Sequence, residues 1–143
     1  SPDQAMPSIA LINIWQYTGY TALLFFAGLQ TIPNSIYEAA AIDGATERRI
    51  FWSITLPLLR PVLVFVLVTT IIGSFQIFDT IAVTTGGGPI DATRVITWYI
   101  FEFAFQRFQM GYATAVSVVL FLILIVATLL QMRILRADES DLA

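Results

Sequence analysis

Residues 38–61 of this chain read EAAAIDGATERRIFWSITLPLLRP. This stretch is charged, it is punctuated by glycine and proline, and it lies between long apolar runs. Segments that connect apolar elements and carry a compact structure of their own often carry function. The shape of this stretch and the nature of its apolar flanks therefore bear directly on what the protein does.

The composition indicates a membrane protein. The chain of 143 residues is 57% hydrophobic and 12% charged, whereas soluble proteins carry about 25% charged residues. It has no cysteine and no histidine, which excludes a disulfide, a thiolate metal site and the commonest general base. A net charge of −3 is too small to indicate nucleic acid as a partner.

Three uncharged stretches approach the ~17–25 residues that cross a bilayer. One alone could be a buried helix of a soluble protein, but three favour an all-α, multi-pass membrane protein. We place the spans at about 9–30, 61–78 and 108–132, with loops at 33–60 and 79–107. Because the chain starts without methionine or a signal peptide, we expect residues 1–143 to be the C-terminal part of a longer subunit.

The arginines indicate the orientation of the loops. Three spans put the loop at 33–60 and the C-terminal tail on the same side of the membrane. That side carries most of the seven basic residues, namely Arg48, Arg49, Arg60, Arg133 and Arg136. Cytoplasmic loops are enriched in arginine and lysine. We therefore expect this side in the cytoplasm and residues 79–107 outside.

The first half of the cytoplasmic loop predicts a helix followed by a tight turn. Ser35 and Glu38 match a capping box, which would start a helix over residues 35–42. Asp43 and Gly44 form a turn signal, and Gly44 suits the left-handed conformation that ends a helix.

The second half predicts another short helix. Thr46 can cap it, and Leu56-Pro57 would end it before the second span. Aromatic and charged residues mixed on a helix–turn–helix are typical of a docking surface for another protein. A loop whose aromatic rings rest at the membrane interface would explain the same residues equally well.

The loop also matches the pattern E-A-A-x3-G-x9-I-x-L-P. Its fixed positions are Glu38-Ala39-Ala40, Gly44, Ile54 and Leu56-Pro57. With this EAA motif, the chain resembles the membrane permease subunits of bacterial ABC importers. Further letters are similar to the carbohydrate branch, of the maltose-permease type: Asp43, Ala45, Phe51 and Pro61.

The resemblance implies an ABC type I importer permease fold in which this loop is the coupling helix. It assigns ATPase coupling to Glu38, Ala39, Ala40, Asp43, Gly44, Arg48, Phe51, Leu56 and Pro57. The partners it implies are a dimer of cytoplasmic ATP-binding subunits, a second related permease, an extracytoplasmic sugar-binding protein and the lipid bilayer of the bacterial inner membrane. ATP and Mg would belong to the partner ATPase, and this chain would hold no catalytic residue, cofactor or metal.

The spans contain no acidic or basic residue, which argues against a proton or ion relay. A neutral solute would instead need amides, hydroxyls and aromatic faces. By analogy with maltose-type permeases, we expect the substrate path to include Asn13, Gln16, Tyr20, Ser74 and Gln76. Hydrogen bonding between helices is the alternative role for such residues.

The external loop contains a second structural signal. The run Gly86-Gly87-Gly88-Pro89 cannot stay helical. The aromatic-rich segment 93–108, which includes Glu102 and Arg107, predicts a short helix at the outer membrane surface.

Other functions remain open at this point. A glycerol-3-phosphate importer resembles the sugar branch, although a phosphorylated substrate favours a cation in its path and the spans offer none. A secondary transporter also uses broken helices and polar sites at the midplane, but it needs no docking element for an ATPase. A membrane enzyme is a third alternative, but this chain has no histidine, no cysteine and no pair of carboxylates within a span that could act as catalytic groups.

Overall fold

The structure, a computed structural model, describes residues 1–135; Arg136, which we expected in the cytoplasm, lies outside them. The described part is built from helices without β-strands, which confirms the expected all-α fold class. The helices are α1 Pro2–Gln30, α2 Asn34–Ile42, α3 Glu47–Ile50, α4 Leu56–Leu58, α5 Arg60–Phe75, α6 Asp79–Thr84, α7 Ile96–Phe101 and α8 Met110–Leu135. Two π-helical turns, Phe51–Thr55 and Glu102–Gln106, follow α3 and α7.

Three helical stretches are long and apolar enough to cross a membrane: Pro2–Gln30, Arg60–Thr84 and Met110–Leu135. Their surfaces remain largely exposed in the isolated chain. In α1 only Ile9 and Gly28 are buried, and the side chain of Trp15 is 86% exposed. Apolar surface of this extent requires lipid or other protein chains around it.

Helix α5 is the central element of the bundle. It packs against both α1 and α8. The short helix α7 also packs against α8. Val64 and Val66 of α5 are buried, as are Ala113, Leu120 and Leu124 of α8. The small core therefore follows α5 through the bundle.

The first helix of the loop starts earlier than the sequence indicates. Pro33, not Ser35, occupies the N-cap of α2, and no side chain caps the helix there. The carbonyl of Pro33 accepts the N–H of Ile36 at 3.1 Å. Ser35 therefore lies inside the first turn, so the expected capping box with Glu38 is wrong. Proline fixes φ near the helical value, which lets the helix begin directly after it.

The turn after α2 forms as expected. Gly44 has φ +73°. The N–H of Gly44 donates to the Ala41 carbonyl at 3.1 Å, and the N–H of Ala45 donates to the Ala40 carbonyl at 3.0 Å. This pair of bonds is a Schellman motif, which satisfies the last carbonyls of a helix. The left-handed role of Gly44 is confirmed.

The second helix starts at its expected cap but does not end where expected. The N–H of Arg49 donates to Thr46 Oγ1 at 3.4 Å, which confirms the cap. However, the chain stays helical through Pro57 to Leu58, so the expected stop at Leu56-Pro57 is wrong. The wider π-helical turn before the proline accommodates its ring, and the N–H of Leu59 still donates to the Thr55 carbonyl at 2.9 Å.

Candidate functional site

A groove of about 370 Å³ lies between α1 and α5. Its polar lining comes from both helices: Asn13, Tyr17, Tyr20 and Thr21 of α1, and Thr69, Thr70 and Ser74 of α5. Apolar side chains such as Leu24 and Val66 complete the walls. The lining contains no acidic or basic residue.

Three of the five residues that we expected in the substrate path line this groove: Asn13, Tyr20 and Ser74. Gln16 and Gln76 lie outside its lining and are exposed. Gln16 stands three residues after Asn13 and four before Tyr20, a spacing that places residues on one helix face, so sequence spacing alone does not exclude Gln16 from the groove. The roles of all five residues remain predictions.

Four further polar residues line the groove but were not predicted from the sequence to belong to the substrate path. Tyr17 and Thr21 of α1 and Thr69 and Thr70 of α5 face the same space. A signal for the first two was present, since Tyr17 and Thr21 stand four and eight residues after Asn13, which is the spacing of one helix face. For α5 the sequence offers no comparable guide to which face meets α1.

The polar groups of the groove are held by their own helices. Asn13 Nδ2 donates to the Ile9 carbonyl at 2.9 Å, and Ser74 Oγ donates to the Ile71 carbonyl at 2.8 Å. Thr69 Oγ1 donates to the Phe65 carbonyl at 2.9 Å. These bonds use donor hydrogens and leave the side-chain oxygens as acceptors. The groove is mainly apolar, and its few side-chain acceptors and its tyrosine rings are available to a ligand that carries hydroxyl donors.

The loop at residues 33–60 presents charges on a braced support. Glu38, Asp43 and Arg48 are exposed, and none of them forms an ion pair within residues 1–135. The apolar side chains of Ile42 and Trp52 are 87% and 66% exposed. Charged and large apolar groups that protrude together are suited to contact another protein.

The support of the loop is formed by buried and hydrogen-bonded groups. The hydroxyls of Tyr37 and Thr55 lie 3.2 Å apart and join α2 to the π-helical turn. Ala40 is buried and Leu56 is half-buried, whereas the other residues that the resemblance assigns to coupling are exposed: Glu38, Ala39, Asp43, Gly44, Arg48, Phe51 and Pro57. Ala40 and Leu56 thus pack within the loop, and the coupling roles of all nine residues stay predictions.

A compact ion-pair cluster fastens the segment 79–107. Glu102 accepts a hydrogen bond from Arg94 Nη2 at 2.5 Å and bonds from Arg107 Nη2 at 2.5 Å and Nε at 3.0 Å. The two guanidinium groups also lie over the rings of Tyr99 and Phe103, at 4.8 and 4.4 Å from the ring centres. Burial alone raises the pKa of the Glu102 carboxyl, but the bonds from Arg107 and Arg94 outweigh it and hold that pKa below its ordinary value.

The acidic residues do not form a metal centre in the described part of the chain. Within residues 1–135, no three aspartate or glutamate side chains lie together in a way that could hold a metal ion. The candidate site therefore consists of the groove, the loop at residues 33–60 and the ion-pair cluster around Glu102.

The chain belongs to a known family of membrane transport proteins. The family described as "binding-protein-dependent transport system inner membrane component" matches residues 2–137. This match confirms the resemblance to ABC importer permeases, and it establishes the chain as an integral membrane protein of a transport family.

Curated relatives support the same assignment. An ABC transporter permease protein of Caldicellulosiruptor sp. is 39% identical over 97% of this chain and 99% of its own length. The sulfoquinovosyl glycerol transport system permease protein of Agrobacterium fabrum is 41% identical over 97% of this chain and 45% of its own length. The sn-glycerol-3-phosphate transport system permease protein of Brucella abortus is 42% identical over 92% of this chain and 45% of its own length. The chain spans less than half of the latter two proteins.

A solved structure has the same fold. It is a crystal structure of a bacterial ABC transporter involved in the import of the acidic polysaccharide alginate, and this chain superimposes on it with a TM-score of 0.76 at 24% identity. The match covers 95% of this chain and 48% of that one. The expected ABC importer permease fold is confirmed.

Proposed function

We propose that this chain is part of the permease subunit of an ATP-driven ABC importer for an uncharged mono-, di- or oligosaccharide. The observation that carries the proposal is the cytoplasmic loop, a braced helix–turn–helix whose EAA motif belongs to a permease family. The subunit catalyses no reaction itself. ATP and Mg are bound by a dimer of partner ATPase subunits, and a second related permease completes the translocation path.

The geometry of the loop supports a mechanical role. A rigid element transmits a rigid-body motion, whereas a flexible one absorbs it. The Schellman motif at Gly44 and the contact between Tyr37 and Thr55 give the loop a defined shape. The exposed carboxylates of Glu38 and Asp43 are available to basic groups of the ATPase.

The arginines and the family support the proposed membrane location. Arg48, Arg49, Arg60 and Arg133 lie on the side of the loop, which favours that side as cytoplasmic. The proposal therefore places a multi-pass subunit in the bacterial inner membrane, with residues 79–107 toward an extracytoplasmic sugar-binding protein.

The groove favours a neutral substrate. Its lining offers hydroxyl, amide and tyrosine groups without a cation, and phosphate binding sites in proteins ordinarily use arginine or lysine. A glycerol-3-phosphate importer is the second candidate, because a relative of that name is 42% identical to this chain. The other permease subunit would have to supply the cation in that case.

Co-purification tests the coupling role. In detergent-solubilised membranes, the wild-type subunit should bring down an ATP-binding subunit, and Glu38→Ala and Gly44→Val should lose it. Valine is β-branched and disfavours the left-handed conformation at φ +73°. Gly44→Asn should retain more of the partner, since asparagine tolerates that conformation.

Asp91→Asn is the matched control, because Asp91 is an exposed carboxylate of the opposite loop and asparagine tolerates its left-handed φ of +57°. It should co-purify with the ATPase as the wild type does. If no ATPase accompanies the wild type in several detergents, the proposal fails and a secondary transporter becomes the better explanation.

A further inference from the structure

Helices α1 and α5 pack closely against each other at a glycine. Gly28 is buried near the end of α1. A methyl group added there would lie 2.7 Å from Val62 Cγ2 and 3.1 Å from Leu59 Cδ2. Contacts below 3 Å force a neighbour to move, and valine in a helix has one strongly preferred χ1 rotamer. The crossing therefore depends on the absence of a side chain at position 28.

The crossing lies at the base of the cytoplasmic loop. The Gly28 carbonyl accepts the N–H of Thr31 at 3.1 Å and Thr31 Oγ1 at 2.7 Å, so it closes the last turn before the loop. On the other side, Leu59 is the residue at which the helical path breaks before α5. Ile32 and Leu59 are both buried. The start and the end of the loop thus meet beside Gly28.

The groove opens between the same two helices, beyond the crossing. Its lining begins at Leu24, about 6 Å along α1 from Gly28, and extends to Ala10, about 27 Å away. On α5 it begins at Val66, about 6 Å from Val62. A relative tilt of about 5° at the crossing would move the far end of the groove by about 2 Å over such a length.

We propose that Gly28 is a positioning residue for transport: its crossing with Val62 is the fulcrum that converts movement of the cytoplasmic loop into opening and closing of the groove. This role rests on the proposed importer function. Gly28 touches neither substrate nor ATPase in this scheme. It acts by setting how closely α1 and α5 approach and about which point they tilt.

The test uses the assembled transporter in proteoliposomes. The chain contains no cysteine, so Thr21→Cys and Thr70→Cys place a single pair in this chain on opposite walls of the groove. The rate of disulfide cross-linking within the chain is measured with and without ATP plus vanadate. In the wild-type background, we expect ATP plus vanadate to change that rate about tenfold, and in Gly28→Ala we expect little response.

Two further variants distinguish a role in positioning α1 against α5 from a general loss of structure. Gly28→Ala combined with Val62→Ala should restore the response, because the second change removes the Cγ2 atom that the new methyl group meets. Gly19→Ala is the matched control, since a side chain at position 19 of the same helix meets nothing within 4 Å. It should respond as the wild type does. Co-purification of the ATPase is followed in every variant to verify assembly.

The outcomes are distinguishable. A normal response in Gly28→Ala, or a lost response that Val62→Ala fails to restore, overturns the fulcrum while the importer function stands. No response in the wild type, despite bound ATPase, overturns the proposed importer mechanism and the role of Gly28 with it. Loss in Gly28→Ala with recovery in the double variant supports the proposal.

Discussion

At the scale of single residues, the ion-pair cluster around Glu102 is the strongest charge interaction in the described part of the chain. Glu102 is bonded to Arg94 and Arg107 at once, and its side chain is only 16% exposed. A carboxylate held by two guanidinium groups in this way is bound more firmly than an ordinary surface ion pair. The cluster ties the segment before α7 to the segment before α8.

Replacing Glu102 should change how the stability of the protein depends on pH. The lowered pKa means that the carboxylate stabilises the folded state above its ordinary pKa and loses that effect as the pH falls through the lowered one. Glu102→Gln should therefore lower the Tm of the detergent-solubilised protein at neutral pH. The difference from the wild type should shrink in the acidic range below the ordinary carboxyl pKa.

Asp91→Asn serves as the control for this comparison. Asp91 lies 3.7 Å from Arg94, but its side chain is 74% exposed, and solvent screens such a pair. Its Tm should follow the wild type at every pH. Equal effects of the two substitutions would show that Glu102 has no special role in fastening the segment.

Among the elements, the segment 79–107 depends on glycine for its shape. Gly87 has φ +86°, and a methyl group there would lie 2.6 Å from Nε1 of Trp98. Thr93 is fully buried beside it, and its hydroxyl donates to the Gly88 carbonyl at 2.7 Å. The turn and the start of α7 are therefore packed into one unit.

Gly87→Ala should destabilise this element by about 1–3 kcal/mol, because it combines an unfavourable φ with a steric clash. Hydrogen exchange of residues 85–98 would measure the loss. Gly111→Ala is the matched control: a side chain at position 111 meets nothing within 4 Å and lies in a helix, where alanine is favoured over glycine. Unchanged exchange in Gly87→Ala would contradict the packing described for Trp98.

At the scale of the whole molecule, the described helices form an open bundle with widely exposed apolar surfaces. The groove is walled by α1 and α5, while α1 exposes Trp15, Tyr17 and Tyr20 widely. A second permease and lipid would cover such surfaces in the proposed transporter. The substrate would then meet only uncharged groups from this chain.

Substrate competition tests the neutral character of the path. In the reconstituted transporter, neutral sugars should inhibit uptake of the transported sugar or stimulate ATP hydrolysis, and their phosphorylated derivatives should not. A buried phosphate without a paired cation carries a large desolvation cost. Each neutral sugar is the control for its own phosphate ester. Preferential uptake of the phosphorylated compounds would favour the glycerol-3-phosphate alternative.

Local structure was largely predictable, because its causes are adjacent in sequence. The left-handed turn at Gly44 and the cap at Thr46 follow from residue type and are present. Two local predictions were wrong where neighbouring signals competed. Pro33 is the N-cap of α2, so Ser35 lies inside the helix instead of capping it. The π-helical turn before Pro57 lets the chain stay helical through that proline.

The sequence by itself determined the class of protein: three apolar helices, a charged loop with the EAA motif, and the family to which they belong. These features depend on composition, on local spacing and on residue type. Only the tertiary structure decided that Asn13 and Ser74 share a groove while Gln16 and Gln76 do not, and that Gly28 meets Val62. The reason is that hydrophobic burial in lipid sets the length of a span without setting its rotation, whereas close packing between helices sets both the rotation and the point of crossing.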